Sequence, residues 1–155
     1  EDTTYLVPAF SGLGAPYWDS EAKAAIVGMT RNTGKAEIVR AAEECIGYQI
    51  ADLVFLMQEA SGLPVKELRV DGGPTKDKFL MQFQSDLLNI PIAVPKNEEL
   101  SGIGAAYAAG FALGFWDQSV YEKESRTRYT PQMDAETRAR KYGGWKAAVQ
   151  SVLTK

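Results

Sequence analysis

The chain has no histidine and a single cysteine among its 155 residues. Without histidine there is no imidazole base, so Ser-His-Asp and Cys-His catalysis and His-ligated metal centres are excluded within it. A general base would have to be a carboxylate, a lysine or a tyrosine. Cys45 has no second thiol to pair with and lies on an apolar helical pattern, so it reads as a core thiol in a reducing compartment. Long apolar runs are also missing. The longest, Ile103 to Trp116, is too short to span a bilayer and is broken by Gly104, Gly110 and Gly114. Seventeen basic residues are scattered among twenty acidic ones, for a net charge of -3. No basic stripe marks a nucleic-acid footprint, so neither nucleic acid nor a membrane is an expected partner. What is present is 45% hydrophobic residues, enough for a packed core of one domain or part of a larger one. The chain starts without Met and almost directly in a strand-like segment, which suggests a piece of a longer polypeptide.

The periodicity predicts strands over Tyr5–Phe10, Ala24–Met29, Val65–Val70 and Pro91–Val94. A long helix is predicted from an N-cap at Thr33 to Ser61-Gly62, with Ile38, Ala41, Ala42, Cys45, Ile46, Gln49, Leu53, Leu56 and Met57 facing inward. Further helices are predicted over Thr75–Leu88 with Phe79, Leu80, Phe83, Leu87 and Leu88 inward, over Ser101–Phe115, and from a cap at Asp134 to Leu153 with Trp145, Val149 and Val152 on one face. Small residues along the Ser101–Phe115 helix would let a neighbouring element approach closely. The segment from Trp116 to Pro131 reads as a polar surface connector. Alternating strands and helices imply an α/β layer arrangement with some parallel pairing, in which ligands bind at the carboxyl ends of strands.

One such end is Leu68-Arg69-Val70-Asp71-Gly72-Gly73-Pro74-Thr75-Lys76-Asp77. An apolar strand pattern runs into two glycines and then a helix start. Backbone without Cβ atoms admits a flat or phosphorylated ligand, and a helix end offers free N–H groups and partial positive charge. The plainer reading is a turn that needs glycine for φ > 0. Lys76 could attract a phosphate or be a solvated lysine. Asp19, in the loop Ser11–Ser20, reads as a turn-forming or capping residue rather than a base.

Several blocks carry a family resemblance. Val7-Pro8-Ala9-Phe10-Ser11-Gly12-Leu13-Gly14-Ala15-Pro16-Tyr17-Trp18-Asp19 is one. Arg69-Val70-Asp71-Gly72-Gly73 followed by Phe79-Leu80-Met81-Gln82-Phe83-Gln84-Ser85-Asp86 is another. Gly104-Ala105-Ala106-Tyr107-Ala108-Ala109-Gly110 and Tyr142-Gly143-Gly144-Trp145-Lys146 complete the series. In order and over nearly the whole chain, these resemble the FGGY carbohydrate kinase family, in its glycerol kinase branch. A signature from Ala24–Met29 to Glu37–Glu44 is mostly present; Glu43 departs from it at a position that is usually apolar.

The resemblance implies an α/β fold of the actin-like, ribonuclease H-like type, with a mixed sheet and flanking helices. It implies that residues 1–155 form most of the C-terminal, nucleotide-binding domain of a two-domain kinase, with 117–155 holding a surface connector and the last helix. The parent would use ATP/ADP with Mg to phosphorylate a small-molecule substrate, glycerol or a related polyol, giving glycerol 3-phosphate from glycerol. It would be cytoplasmic and a homo-oligomer. Carried over by position, the backbone of Gly73 would approach the nucleotide, Gly72 and Pro74 would shape the turn, and Asp77 would sit beside adenine or ribose. Asp77 stands where these kinases usually have Asn; a carboxylate can only accept hydrogen bonds. The family's catalytic aspartate, polyol contacts, first phosphate loop and Mg ligands have no match here, so no catalytic or metal residue is assigned and the isolated chain is expected to be inactive. Two alternatives stay open: a kinase for another sugar or polyol such as a ketopentose, and a non-catalytic actin-like nucleotide-binding module. The surface segment Trp116–Tyr142 would be a solvated face or a regulatory contact.

Overall fold

In the computed structural model, residues 2–96, 100–117, 119–120 and 125–154 are described. Strand β1 (Tyr5–Val7) pairs antiparallel with β2 (Ala25–Val27), with Leu6 opposite Ile26. Both are shorter than the pattern predicts. Pro8 has no N–H to continue a ladder, and the chain turns there with the Phe10 N–H on the Pro8 carbonyl at 2.8 Å. β2 stops at Gly28, whose φ of 75° and contact with the Thr3 backbone leave no room for a Cβ.

Helix α1 (Lys35–Ser61) is capped at Gly34, one residue later than expected. Glu37 Oε2 takes the Gly34 N–H at 2.8 Å, while the Thr33 hydroxyl turns back to accept from the Thr30 N–H at 2.8 Å. The helix ends as predicted at Gly62, in the left-handed region at φ 67°. Its buried face is rotated from the expected one. Ala41 and Cys45 do face inward, but Glu44, Tyr48, Ala51 and Asp52 join them, and Ile46, Leu53, Leu56 and Met57 point outward. Paired carboxylates make this possible, since a buried ion needs partners. Glu44 takes the Lys141 ammonium at 2.8 Å and the Tyr48 hydroxyl at 3.2 Å. Gly47 lies directly against the Phe83 ring, which brings α1 and α2 close together.

Strand β3 (Leu68–Arg69) is only two residues long and runs parallel to β4 (Ile92–Pro95). A third strand, β5 (Arg126–Tyr129), pairs antiparallel with β4, with Ala93 opposite Arg128. It replaces part of the expected surface connector. The Arg-Thr-Arg-Tyr sequence suits a sheet edge, where charged side chains reach solvent and only Arg126 and Tyr129 are half-buried. The three strands therefore form a mixed sheet in the order β3-β4-β5, beside the β1-β2 pair.

Helix α2 (Lys78–Leu88) buries Leu80, Met81, Phe83, Leu87 and Leu88; Phe79, expected inward, is 42% exposed. Helix α4 (Ala135–Gln150) is capped by Asp134, which accepts from the Thr137 N–H at 2.8 Å and is held below the usual carboxylate range by that bond. Its Trp145 and Val149 are fully buried; the helix stops at Gln150, short of the expected Leu153, and Val152 lies half-buried in the turn beyond it. The core centres on Tyr48, stacked on Trp145 at 5.2 Å and edge-on to Phe83 at 5.2 Å. Each such ring pair contributes about 0.5–1.5 kcal/mol beyond its buried area. Helix α3 (Leu100–Ala112) is different: only Gly110 is buried, beneath the Trp116 ring. Its small residues Gly102, Ala105, Ala106 and Ala109 face solvent rather than a neighbouring element.

Candidate nucleotide-binding site

The Gly-Gly turn sits where expected, at the carboxyl end of β3. The last sheet bond there runs from the Val70 N–H to the Ala93 carbonyl at 3.1 Å. Gly72 has φ 99° and ψ 175°, a conformation that side-chain-bearing residues avoid. Gly73, Pro74, Thr75 and Lys76 then form one tight 3-10 turn. The Gly72 carbonyl takes both the Thr75 N–H at 3.0 Å and the Thr75 hydroxyl at 2.7 Å. Those two hydrogen bonds hold the turn, a role for Thr75 that the sequence reading missed. Pro74 opens the turn with its φ preset and no N–H to satisfy. Gly73 is exposed, and a Cβ built on it would meet nothing within 4 Å. The backbone therefore offers an open face to a flat group.

Helix α2 does not begin at Thr75 but at Lys78, and Asp77 is its N-cap. Asp77 Oδ1 accepts from the Phe79 N–H at 2.9 Å and the Leu80 N–H at 3.1 Å. This corrects one expectation. N–H groups that would have been free for an anion are taken by the chain's own carboxylate, whose charge also opposes a phosphate there. Oδ1 is committed to the cap, so only Oδ2 is left to face a ligand. Gly72, Gly73, Pro74 and Asp77 are thus brought together in one turn, where the backbone at Gly73 is open and the Asp77 carboxylate offers a hydrogen-bond acceptor rather than an anion site.

Asp19 is fully buried and is a structural residue. It accepts from the Glu21 and Ala22 N–H groups at 3.0 and 3.2 Å, and from the N–H and hydroxyl of Thr154 at 2.6 and 2.9 Å. The Thr154 N–H is the main reason its carboxyl sits below the ordinary value. Burial pushes the Cys45 thiol up to about 11, as befits an inert core residue. Among the described residues, no cluster of three or more Cys, Asp or Glu could hold a metal ion, and no helix is long and apolar enough to cross a membrane.

Sequence reasoning also missed a buried carboxylate, Asp52. Its Oδ2 accepts from the Tyr17 hydroxyl at 2.9 Å and from Trp145 Nε1 at 2.8 Å, and its Oδ1 from the Tyr142 hydroxyl at 2.7 Å. Burial, together with the Asp52 charge, raises both tyrosines well above their usual range. The available signal was the set of aromatic residues with polar tips, which need acceptors once buried.

The family model for the C-terminal domain of the FGGY family of carbohydrate kinases matches residues 2–113. The chain belongs to that family. Glycerol kinase from Bacillus anthracis is 47% identical over 153 residues, 97% of this chain and 31% of the relative. Glycerol kinase from Thermus thermophilus is 46% identical over 155 residues, again 31% of its length. This FGGY chain therefore spans about a third of the curated relatives it matches. A structure of Plasmodium falciparum glycerol kinase with ADP superposes with a TM-score of 0.89 at 39% identity, over 99% of this chain and 31% of that one. Xylulose kinase from Rhodospirillum rubrum, at 22% identity, has a TM-score of 0.78 over 97% of this chain and 30% of that one, a likeness of fold alone. The fold is thus the expected α/β type of the FGGY kinases, with an actin-like architecture.

Proposed function

We propose that this chain is most of the C-terminal, nucleotide-binding domain of an ATP-dependent glycerol kinase, with residues 117–155 supplying the β5 connector and the closing helix. The observation that carries the reading is the open backbone at Gly73, where a built Cβ meets nothing within 4 Å. The identity to glycerol kinases across nearly the whole chain and the ADP in the Plasmodium falciparum structure support it.

In this reading Gly73 packs its backbone against adenine or ribose. Gly72 and Pro74 hold that backbone in place, and Asp77 Oδ2 accepts a bond from a ribose hydroxyl or the adenine amino group while Oδ1 keeps the helix cap. The α- to γ-phosphates point away from Asp77, since two like charges repel. The bound Mg·ATP supplies the γ-phosphoryl group that passes to the acceptor hydroxyl. The acceptor is glycerol, the product is glycerol 3-phosphate, and the setting is the cytoplasm. The base, the acceptor contacts and the Mg ligands lie outside these residues. What this chain does is fix the nucleotide and thereby its reacting end, which is the positioning part of such catalysis.

The test is Gly73→Val in the full-length protein. Space and backbone both tolerate the side chain when no nucleotide is bound, so the fold is expected to survive. ADP affinity, measured by calorimetry, is expected to fall at least about tenfold, since a blocked approach removes more than about 1.4 kcal/mol. Glycerol-dependent ATP consumption should fall with it. Unchanged affinity in a folded variant would remove the site, and ATP consumption with a pentulose but not glycerol would keep the site and replace the acceptor.

A further inference from the structure

One side of α4, next to the buried Trp145, is built from small residues. Gly144, Ala147 and Ala148 recur at three- and four-residue spacing, with Arg140 one turn before them and Ser151 one turn after. From Arg140 to Ser151 this side runs about 16 Å along the helix. The β1-β2 hairpin faces it. Tyr5 lays its hydroxyl on Gly144, where a Cβ would collide with it. Val27 is the ladder partner of Tyr5. The hairpin is tied off where the Thr3 hydroxyl donates to the Gly28 carbonyl at 2.8 Å. Between hairpin and helix lies an open hollow of about 440 Å³, within the range of small-molecule sites.

Polarity and charge of the lining select the ligand. Its walls are the Tyr5 ring, Val27, the alanines and the bare Gly144 backbone. The Thr3 and Ser151 hydroxyls already donate to backbone carbonyls, at 2.8 and 2.7 Å. Among the described residues, Arg140 is the sole charged member of the lining, and it stands at one end. Burial pushes the Tyr5 hydroxyl above its ordinary value, and the charge of Arg140 opposes that rise, so the guanidinium acts on the hollow's floor. The carboxylates whose charge also reaches Tyr5 are neutralised elsewhere: Glu44 by Lys141 at 2.8 Å and Asp2 by Arg40 at 3.0 Å. Arg140 has a contact of its own in the fold, but five N–H donors in a fork can hold a carboxylate as well. We propose that this hollow binds a free single-chain carboxylate, its head on Arg140 and its alkyl chain laid along Gly144, Ala147 and Ala148 toward Ser151. A compact anion such as phosphate would leave the apolar walls in water, and a cation would meet Arg140. The site shares no residue with the Gly72–Gly73 turn and stands apart from the nucleotide reading.

The experiment titrates the full-length protein with octanoate, hexanoate, 1-octanol and octylammonium, followed by saturation-transfer NMR. Octanoate should bind, and losing two methylenes to hexanoate should weaken binding about 5–15-fold. Arg140→Gln should weaken octanoate about tenfold and leave 1-octanol unchanged, while Arg140→Lys keeps most of the binding. Ala147→Trp should fill the hollow and abolish octanoate binding. Arg140 and Ala147 are both exposed, so the unfolding temperature of each variant should match that of wild type. Several results would overturn the inference. One is a full-length protein that does not bind octanoate, as when another part of the polypeptide covers the hollow. Another is binding untouched by Ala147→Trp, which would put the ligand elsewhere. A third is octylammonium bound as tightly as octanoate, or octanoate indifferent to Arg140→Gln, which would remove the charge selection.

Discussion

Replacing Asp52 with alanine would strand three donors at once. The Tyr17 and Tyr142 hydroxyls and Trp145 Nε1 all end on its carboxylate, within 2.7–2.9 Å, and Trp145 has no exposed surface. A buried donor left unpaired costs about 1–3 kcal/mol. Water entering the vacated space can accept from some of them, so the expected loss is about 3–5 kcal/mol. That is a large part of the 5–15 kcal/mol that holds a typical domain together. Asp52→Asn separates the charge from the geometry. Its carbonyl oxygen can take the place of Oδ2 and accept from Tyr17 and Trp145. Its amide then faces the Tyr142 hydroxyl, which can rotate to accept. The bonds from Tyr17 and Trp145 are kept and a buried charge with only neutral donors is removed, while one amide N–H and the Tyr142 O–H are left without an acceptor, so asparagine is expected to cost about 1–3 kcal/mol, less than alanine. The assay is urea unfolding followed by near-ultraviolet circular dichroism, which reports the Tyr48–Trp145 stack. The reasoning fails if alanine costs under about 1 kcal/mol, or if asparagine is as damaging as alanine.

Two further expectations concern packing and pH. Gly47→Ala would put a Cβ 2.8 Å from Phe83 Cδ1; overpacking of about 1–3 kcal/mol outweighs the roughly 1 kcal/mol of added helix propensity, so the urea midpoint should fall, and a rise would mean that α1 and α2 are not in such close contact. Asp19 has its carboxyl depressed below its ordinary value of 3.8, first by the Thr154 N–H. Its contribution to stability is therefore complete above 3.8 and lost as pH falls through the lower folded value. Asp19→Asn should flatten that acid limb and speed hydrogen exchange at Thr154; unchanged protection would show that the carboxylate does not hold the C-terminal segment.

Local signals sufficed for what depends on a few neighbouring residues. The end of α1 at Gly62, the cap at Asp134 and the turn at Gly72–Gly73 were all legible, because glycine, aspartate and proline restrict the backbone directly. Alternation of apolar segments also marked the α/β class and the order of most elements. The family blocks pointed to the Gly72–Gly73 turn as the candidate nucleotide site. Hydrophobic periodicity misjudged the orientation of α1, since it assigns carboxylates to solvent. Glu44 and Asp52 face inward only because Lys141, Tyr142 and Trp145, some ninety residues later, meet them there. Likewise β5 looked like a charged connector, because an edge strand takes its hydrogen bonds from β4 rather than from any pattern of its own. At the candidate site the sequence by itself determined the open backbone at Gly73, a consequence of a missing Cβ. Only the tertiary structure decided that Asp77 spends one oxygen capping α2, because the helix start depends on how the preceding turn closes on Gly72. The same distinction runs through the whole chain: backbone preference is local, whereas the pairing of buried charge and the choice of buried face are set by distant partners.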